Sequence, residues 1–308
     1  MTSQVMSNQI IINDVGPRDG LQNQAKILTP TERLQLIEAL LEAGVPAIEV
    51  GSFVSPKAVP AMAGAADVVA GLSEGKAEYS ALIPNVKGYE LAVAAGVKIV
   101  EIVVAATQTM NEKNIRRTTE EAMTACAEII TQAKSDGVTT LPCIATAWEC
   151  PFEGLVDIAV VQDLARQMIA MGADRVVIAD TIGAANPASV KALMSALAEE
   201  FGADKFACHF HDTRGMGVAN VAAAVEVGIR HFDSSIGGLG GCPFAPGATG
   251  NVATEDVIVM LEQMGYSTGV DLAKLVAAVD LTAELTGNCD GGHSLRWVRR
   301  QLQKGLLQ

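Results

Sequence analysis

The chain has 308 residues, of which 49% are hydrophobic and 19% charged, a composition typical of a globular protein with a large apolar core. Its net charge of −13 argues against nucleic acid or an anionic membrane surface as the main partner, because either would repel it. No apolar run is long enough to span a membrane, and no signal or transit sequence is recognisable, so we expect a cytoplasmic location. Six cysteines without CxxC spacing predict free thiols in a reducing compartment.

One pattern, a short apolar strand followed by a helix, recurs eight times along the chain. In the first unit residues 10–15 form the predicted strand and residues 16–24 its loop. A helix then begins at Thr29-Pro30-Thr31-Glu32, where Thr is a suitable cap and Pro fits the first turn, and it ends at Gly44. The later predicted strands are residues 48–54, 79–83, 99–105, 140–146, 175–179, 205–211 and 232–236. Helices follow the first six of these later strands and end at Leu72, Gly96, Gly137, Gly172, Gly202 and Gly228.

Eight such units without a Pro/Ser-rich linker predict a single α/β domain, a (β/α)₈ TIM barrel, because parallel strands require crossover helices. The alternative is an open, doubly wound sheet. A further helix over residues 271–285 and the segment after it follow the eighth unit, and both are expected to pack beside the barrel as additional C-terminal helices. We therefore predict a catalytic domain over residues 1–285 and a C-terminal tail over residues 286–308.

A glycine-rich stretch, residues 237–251, lies between the eighth strand and a predicted helix start. Six of its fifteen residues are glycine, and Cys242 lies near its centre. Glycine allows the backbone to bend and to approach a ligand closely, so the stretch is predicted to be a functional loop with a thiol at its tip. A phosphate cradle is the alternative, but the pattern lacks the third glycine of that motif.

Two histidines at the end of strand 7 predict a metal centre. Period-2 alternation places His209 and His211 on one face of the strand, although an isolated pair could equally be core histidines. Asp19 and Asn251, at other strand ends, supply a carboxylate and an amide oxygen that favour an octahedral Mg²⁺ or Mn²⁺ over tetrahedral zinc.

Arg18 precedes the predicted ligand Asp19 and could donate hydrogen bonds to a developing enolate oxygen. It could instead form a salt bridge with Glu49, which the predicted strand 2 contains, or with Asp180, which follows strand 6. Both interpretations hold together if those acids orient the guanidinium group.

Several motifs together resemble the 3-hydroxy-3-methylglutaryl-CoA lyase family of metal-dependent TIM-barrel enzymes. The resemblance extends from about residue 10 to residue 285, and the combination of RDGLQ with GGLGGCP is highly specific. The motifs that carry it are RDGLQ at 18–22, SFVSPK at 52–57, DTIG at 180–183, HFHDT at 209–213 and the stretch 237–256.

The resemblance implies cleavage of 3-hydroxy-3-methylglutaryl-CoA to acetyl-CoA and acetoacetate, a step of leucine catabolism. In that reaction a base, either His209 or a carboxylate, would remove the 3-hydroxyl proton, and Arg18 would contact the thioester carbonyl. The implied metal ligands are Asp19, His209, His211 and Asn251; Cys242 is the implied active-site thiol, with Glu49, Asp180 and Glu255 as supporting acids.

Three departures from the family pattern concern the acyl pocket and the CoA contacts. Arg214 replaces an aromatic residue, Trp148 and Glu149 replace a smaller pair, and residues 286–294 lack a basic, Ser-rich segment. Arg214 and Trp148 are therefore candidate specificity residues for another 3-hydroxy carboxyacyl-CoA. Neutral drift on surface loops would give the same differences.

Lys113, Arg116 and Arg117, after strand 4, are candidate partners for the CoA phosphates, although they could equally be a solvated helix start. Two other functions compete with a lyase: a synthase condensing acetyl-CoA with a 2-oxo acid, and a non-catalytic metal-stabilised scaffold. The Cys242 loop argues against the first, and the set of Arg18, metal ligands and thiol argues against the second. A homo-oligomer is compatible with the sequence, because barrels associate through helix faces.

Overall fold

The computed structural model describes residues 8–241 and 250–307. Eight parallel strands form a closed barrel whose order around the ring follows the chain. They are β1 Ile11–Asp14, β2 Ala47–Ser52, β3 Glu78–Leu82, β4 Ile99–Ala105, β5 Thr139–Ala145, β6 Val176–Asp180, β7 Phe206–Phe210 and β8 His231–Ser234.

Strand β1 closes the barrel because it pairs on both sides. Asn13 lies opposite Ala47 of β2 and opposite Asp233 of β8. The predicted (β/α)₈ barrel is therefore confirmed, and the open doubly wound alternative is wrong. The sequence analysis missed one short antiparallel ribbon after β5, formed by Glu149–Cys150 and Gly154–Leu155.

Helices cover the outside of the barrel. No helix in residues 8–241 or 250–307 has both the length and the hydropathy to cross a membrane. The α-helices in the described residues are α1 Pro30–Glu42, α2 Ala65–Ala70, α3 Val86–Ala94, α4 Gln108–Ile115, α5 Thr119–Asp136, α6 Ile158–Met171, α7 Pro187–Phe201, α8 Gly217–Val227, α9 Thr254–Gln263, α10 Leu272–Thr286 and α11 Leu295–Gln303.

The predicted Thr cap of α1 is present, but the helix predicted after strand 4 is divided in two. The hydroxyl of Thr29 accepts from the Glu32 N–H at 3.2 Å, and the Glu32 carboxylate accepts from the Thr29 N–H at 2.8 Å, as predicted for α1. The single helix predicted to end at Gly137 is instead two helices. Arg116 adopts a left-handed conformation with φ of 57° and ends α4, and Thr118 then caps α5.

The barrel interior is apolar on one side and polar on the other. Small apolar side chains from β5, β6 and β7 pack together inside the barrel, while side chains facing outward from the strands join the main core beneath the helices. The apolar inner cluster is Cys143, Val177, Ala179 and Ala207. The opposite side, on β8 and β1 to β4, carries the buried polar residues Glu49, Ser80, Glu101 and Asp233 and the partly buried Asn13.

The C-terminal residues add two helices beside the barrel. Helix α10, predicted one residue earlier, packs against α1, and a connection over residues 287–294 leads to α11. Leu295 and Val298 of α11 are buried, so the predicted tail contains a docked helix.

Candidate metal centre and active site

The predicted metal ligands meet at the carboxyl end of the barrel. A π-helical turn over Gly16–Gly20 follows β1 and places Asp19 beside the end of β7. Ligand atoms of Asp19, His209 and His211 all lie within 4.8 Å of one another. Asn251 completes the group, since its Nδ2 donates to Asp19 Oδ2 at 2.8 Å.

Alternation along β7 produces the histidine pair. The rings of His209 and His211 lie on the same face, and their Nε2 atoms are 3.2 Å apart. Phe210, between them, points away and contacts the ring of Trp148, with 5.6 Å between ring centroids. The strand thus gives one face to the core and the other to the candidate metal centre.

The four residues fit a divalent cation. Asn251 Oδ1 is buried and has no hydrogen-bond partner within the part of the chain that the structure describes. Such an acceptor is costly to bury unless it has a ligand. Two imidazole nitrogens, a carboxylate and this amide oxygen suit an ion that also binds oxygen ligands of a substrate.

Arg18 lies between two carboxylates. Its Nε donates to Glu49 Oε2 at 2.6 Å, and its Nη1 donates to Asp19 Oδ1 at 2.6 Å. The Arg18 side chain is only 9% exposed, so few conformations remain open to it. The salt bridge considered from the sequence is thus present with Glu49, and it aims the guanidinium at the metal centre.

The two carboxylates differ in acidity. Burial alone would raise the pKa of Asp19, but the charges of Arg18, His209 and His211 outweigh it and lower that pKa to about 2. Burial dominates for Glu49 and raises its pKa to about 7. Asp19 is therefore the fully ionised partner at neutral pH, as a metal ligand must be.

Asp180 does not form the salt bridge with Arg18 that was one of two alternatives. Its carboxylate accepts from the backbone N–H groups of Ala184 and Ala185 at 2.8 and 3.0 Å, which fixes the turn after β6. Among the described residues Arg18 is not one of its hydrogen-bond partners, so the expectation that Asp180 orients the guanidinium gives way to Glu49. Burial raises the pKa of Asp180 to about 6.

Glu255 joins the start of the glycine-rich stretch to the C-terminal connection. Its two carboxylate oxygens accept from the N–H of Gly237 at 3.1 Å and from the N–H of Gly292 at 2.6 Å. Asp256, the next residue, accepts from the N–H groups of His293 and Ser294. These acids position backbone segments around the mouth of the barrel.

Glu255 gives a testable pH dependence. Burial raises its pKa from 4.5 to about 7 in the folded chain, so the folded state takes up a proton more readily than the unfolded state. Its contribution to stability is complete below pH 4.5 and is lost as the pH rises through 7. With EDTA present, the free energy of unfolding of the parent minus that of Glu255→Gln should therefore rise by up to about 3 kcal/mol when the pH is lowered from 8 to 5. Urea titrations at both pH values measure it, and a difference independent of pH would contradict the assignment.

Cys242 lies outside the described residues. Gly240, two residues before it, lies beside the metal centre: a Cβ added at Gly240 would lie 2.5 Å from Asn251 Nδ2. Asn23 Nδ2 also donates to the Gly241 carbonyl at 2.9 Å. The other cysteines are free thiols, as predicted; they are Cys126, Cys143, Cys150, Cys208 and Cys289.

The predicted phosphate contacts lie on α4 and at its junction with α5. Lys113 lies over the ring of Phe152, 4.9 Å from its centroid. Arg116 and Arg117, at the junction of α4 and α5, line a surface cavity of about 780 Å³ that also includes Lys87. Their role in binding CoA remains a prediction.

The two candidate specificity residues occupy different environments. Arg214 follows β7 at the mouth and is about half exposed, with only long contacts of 3.4 Å to Glu149 Oε1 and the Ala184 carbonyl. Trp148 is buried, packs on Phe210 and donates its indole N–H to the Ser189 carbonyl of α7 at 3.2 Å. Trp148 therefore lies between barrel and helices, and any effect on substrate would pass through Phe210, whereas Arg214 could reach it directly.

Two buried acids of the barrel interior escaped the sequence analysis. Asp233 Oδ2 lies 3.0 Å from His209 Nδ1. Burial, together with the charges of Glu49 and Asp233, raises the pKa of Glu101 well above its ordinary value. The sequence signal that could have revealed these two acids is an acidic residue inside an otherwise apolar strand.

Comparisons with known proteins agree with this geometry. The family model described as HMGL-like matches residues 9–282. The chain is 42% identical to (R)-citramalyl-CoA lyase of Chloroflexus aurantiacus, covering 90% of this chain and 91% of that one. It is 41% identical to hydroxymethylglutaryl-CoA lyase YngG of Bacillus subtilis, covering 91% and 94%. The crystal structure of hydroxymethylglutaryl-CoA lyase from Pseudomonas aeruginosa superposes with a TM-score of 0.92 at 39% identity, over 96% of this chain and 98% of that one. The resemblance inferred from the motifs is confirmed, and the chain belongs to the HMGL-like family of lyases.

Proposed function

We propose that the protein is a divalent-metal-dependent, cytoplasmic carbon–carbon lyase that cleaves 3-hydroxy-3-methylglutaryl-CoA to acetyl-CoA and acetoacetate. The observation that carries the proposal is the contact between Arg18 and Asp19, which joins a buried guanidinium to the cluster of Asp19, His209 and His211. A positively charged hydrogen-bond donor therefore lies beside a set of possible metal ligands at the mouth of the barrel.

The chemistry needs charge stabilised at two oxygens of the substrate. Mg²⁺ or Mn²⁺ bound by Asp19, His209, His211 and Asn251 would polarise the 3-hydroxyl and carboxylate oxygens and lower the pKa of the hydroxyl. Loss of the hydroxyl proton turns its oxygen into a ketone as the C2–C3 bond breaks, and the bond electrons pass to the thioester as an enolate. Arg18, held by Glu49, donates hydrogen bonds to the enolate oxygen.

The enolate then takes a proton at C2 to become acetyl-CoA. We assign this proton to the thiol of Cys242, because Gly240, two residues before it in the chain, lies against Asn251 of the proposed metal centre. Glu255 supports the same loop by holding the Gly237 N–H.

A second acyl group is favoured by one observation, the 42% identity to a citramalyl-CoA lyase. Citramalyl-CoA has the same 3-hydroxy-3-methyl centre but one methylene less before its distal carboxylate, so the same cleavage gives acetyl-CoA and pyruvate. Arg214, exposed at the mouth, is the cation that would bind a carboxylate in this altered position.

A substrate comparison tests the proposal. Purified protein with Mg²⁺ is given each thioester separately, and initial rates of acetyl-CoA release are compared for the parent and Arg214→Tyr. We expect faster release from the methylglutaryl substrate. Faster release from citramalyl-CoA, reversed in Arg214→Tyr, would transfer the assignment to the second candidate. Condensation of acetyl-CoA with a 2-oxo acid, without either cleavage, would identify the synthase instead.

Charge reversal tests the predicted CoA contacts. The double variant Arg116→Glu, Arg117→Glu should raise KM for the thioester roughly 10-fold, or about 1.4 kcal/mol, with kcat nearly unchanged, because the phosphates lie far from the reacting carbons. The matched control is Arg166→Glu, Lys191→Glu, which makes the same change of charge on α6 and α7. An equal KM in both double variants would remove Arg116 and Arg117 from the CoA site.

A further inference from the structure

We infer that Asp233 is a positioning residue that determines which ring nitrogen of His209 faces the metal centre, and that Asn13 in turn fixes Asp233. The inference rests on the metal-dependent function proposed above. It concerns residues of the barrel interior, beneath the site, that contact neither ion nor substrate.

Three side chains form a continuous chain of hydrogen bonds. Asn13 Nδ2 donates to Asp233 Oδ1 at 2.9 Å, and Asp233 Oδ2 lies 3.0 Å from Nδ1 of His209. The carboxylate thus uses one oxygen for each neighbour. A carboxylate can only accept, so Nδ1 of His209 carries the hydrogen.

The strands hold this chain in place. Asp233 of β8 lies directly opposite His209 of β7 in the parallel register, and opposite Asn13 of β1 on its other side. All three positions are fixed by backbone hydrogen bonds of a closed barrel. The carboxylate therefore has little freedom to turn away from either partner.

The surroundings make the contact with His209 important to Asp233. Asp233 is only 5% exposed to solvent. It lines a small cavity of about 40 Å³ together with Asn13, Ser80 and Glu101. The buried Asn13 Oδ1 and Ser80 Oγ have no partner among the described residues. A polar cavity of this size can hold an ordered water. Arg175 also lines the cavity, and its charge interacts with that of Asp233, but among the described residues no hydrogen bond or ion pair joins the two side chains. His209 and Asn13 are therefore the hydrogen-bond partners of the Asp233 carboxylate.

One consequence concerns the role of His209 itself. With Nδ1 committed to Asp233, Nε2 is the nitrogen that remains, and it points into the ligand cluster 3.2 Å from His211 Nε2. Both nitrogens are engaged when a metal is bound. His209 is therefore a ligand, and the base that removes the substrate proton is another group.

Metal affinity tests the inference. Isothermal titration of metal-free protein with Mn²⁺ should give a dissociation constant roughly 10- to 100-fold higher for Asp233→Asn than for the parent, the range measured when an outer hydrogen-bond partner of a ligating histidine is removed. Asp204→Asn makes the same change of charge on an exposed turn at the other end of β7 and should bind like the parent. The comparison does not use lyase activity, so weaker Mn²⁺ binding supports the inference even if no thioester is cleaved.

A second variant and a second measurement cover the case in which Asp233→Asn folds poorly. Asn13→Ala leaves the carboxylate in place and should weaken Mn²⁺ binding in the same direction but less. The second measurement is ¹⁵N spectroscopy of metal-free protein at a pH at which the imidazoles are uncharged. His209 should carry its hydrogen on Nδ1 in the parent and lose this preference in Asp233→Asn. The chain has only four histidines, so their signals can be assigned. Mn²⁺ affinity within twofold of the parent in both variants, or a parent His209 protonated only at Nε2, would overturn the inference.

Discussion

Replacing Arg18 with glutamine is expected to lower kcat for thioester cleavage by roughly 10²- to 10³-fold, the loss typical of a removed oxyanion donor. KM should change little, because Arg18 acts on charge that develops only as the C2–C3 bond breaks. Steady-state kinetics with saturating Mg²⁺ measure both constants. The size of the effect follows from geometry: the guanidinium is buried and already held by Glu49 at 2.6 Å, so its donors are in place before the reaction starts.

Two variants make this result specific. Arg166→Gln removes an exposed arginine that pairs with Asp163 and Glu200, and it should leave kcat unchanged. Arg18→Lys keeps the charge but loses the planar fork of donors, so it should recover only part of the activity. Near-parental kcat in Arg18→Gln would exclude Arg18 from the mechanism, whereas a rise in KM alone would make it a substrate-binding residue.

The second large effect is expected at Asp19. Asp19→Asn removes the only carboxylate of the ligand cluster and should weaken Mn²⁺ binding by more than about 100-fold, beyond the loss expected for an outer partner such as Asp233. Turnover at a fixed low metal concentration should fall with it. Titration calorimetry gives the dissociation constant, and activity across a range of Mn²⁺ concentrations shows whether excess metal restores turnover.

Controls separate loss of metal from loss of structure. Asp204→Asn, with the same change of side chain far from the ligands, should bind Mn²⁺ normally. In EDTA the thermal midpoint of Asp19→Asn should fall by a few degrees, because the variant loses the buried ion pair between residue 19 and Arg18. Its far-ultraviolet circular dichroism below that midpoint should match the parent and show that the barrel is intact. Unchanged Mn²⁺ affinity in Asp19→Asn would contradict the metal centre described above.

The barrel was predictable because each strand and helix has a local signal. Continuous apolar strands, Thr caps and terminal glycines place all eight barrel strands within two residues of their observed ends. The break between α4 and α5 was not predictable in the same way. It depends on Arg116 adopting a left-handed conformation, which arginine takes only under the constraints of its neighbours.

The clustering of Asp19, His209 and His211 was predictable for a different reason. His209 and His211 are separated by one residue on a strand, and Asp19 lies in a loop after another strand, so topology alone brings them to one end of the barrel. Asp233 was missed because its function depends on the register between β7 and β8, which a single strand does not reveal. Of the two acids considered as partners of Arg18, Glu49 forms the contact, whereas Asp180 accepts from two backbone N–H groups of its own loop.

The most direct test of the central claim is mass spectrometry of purified protein incubated with 3-hydroxy-3-methylglutaryl-CoA and Mg²⁺, with and without EDTA. The account predicts rapid formation of acetyl-CoA and acetoacetate in equal amounts, abolished by EDTA and restored by excess Mg²⁺. Cleavage that persists at the same rate in EDTA would contradict the metal-dependent mechanism. Metal-loaded protein that releases no acetyl-CoA from either this substrate or citramalyl-CoA would contradict the assignment as a lyase.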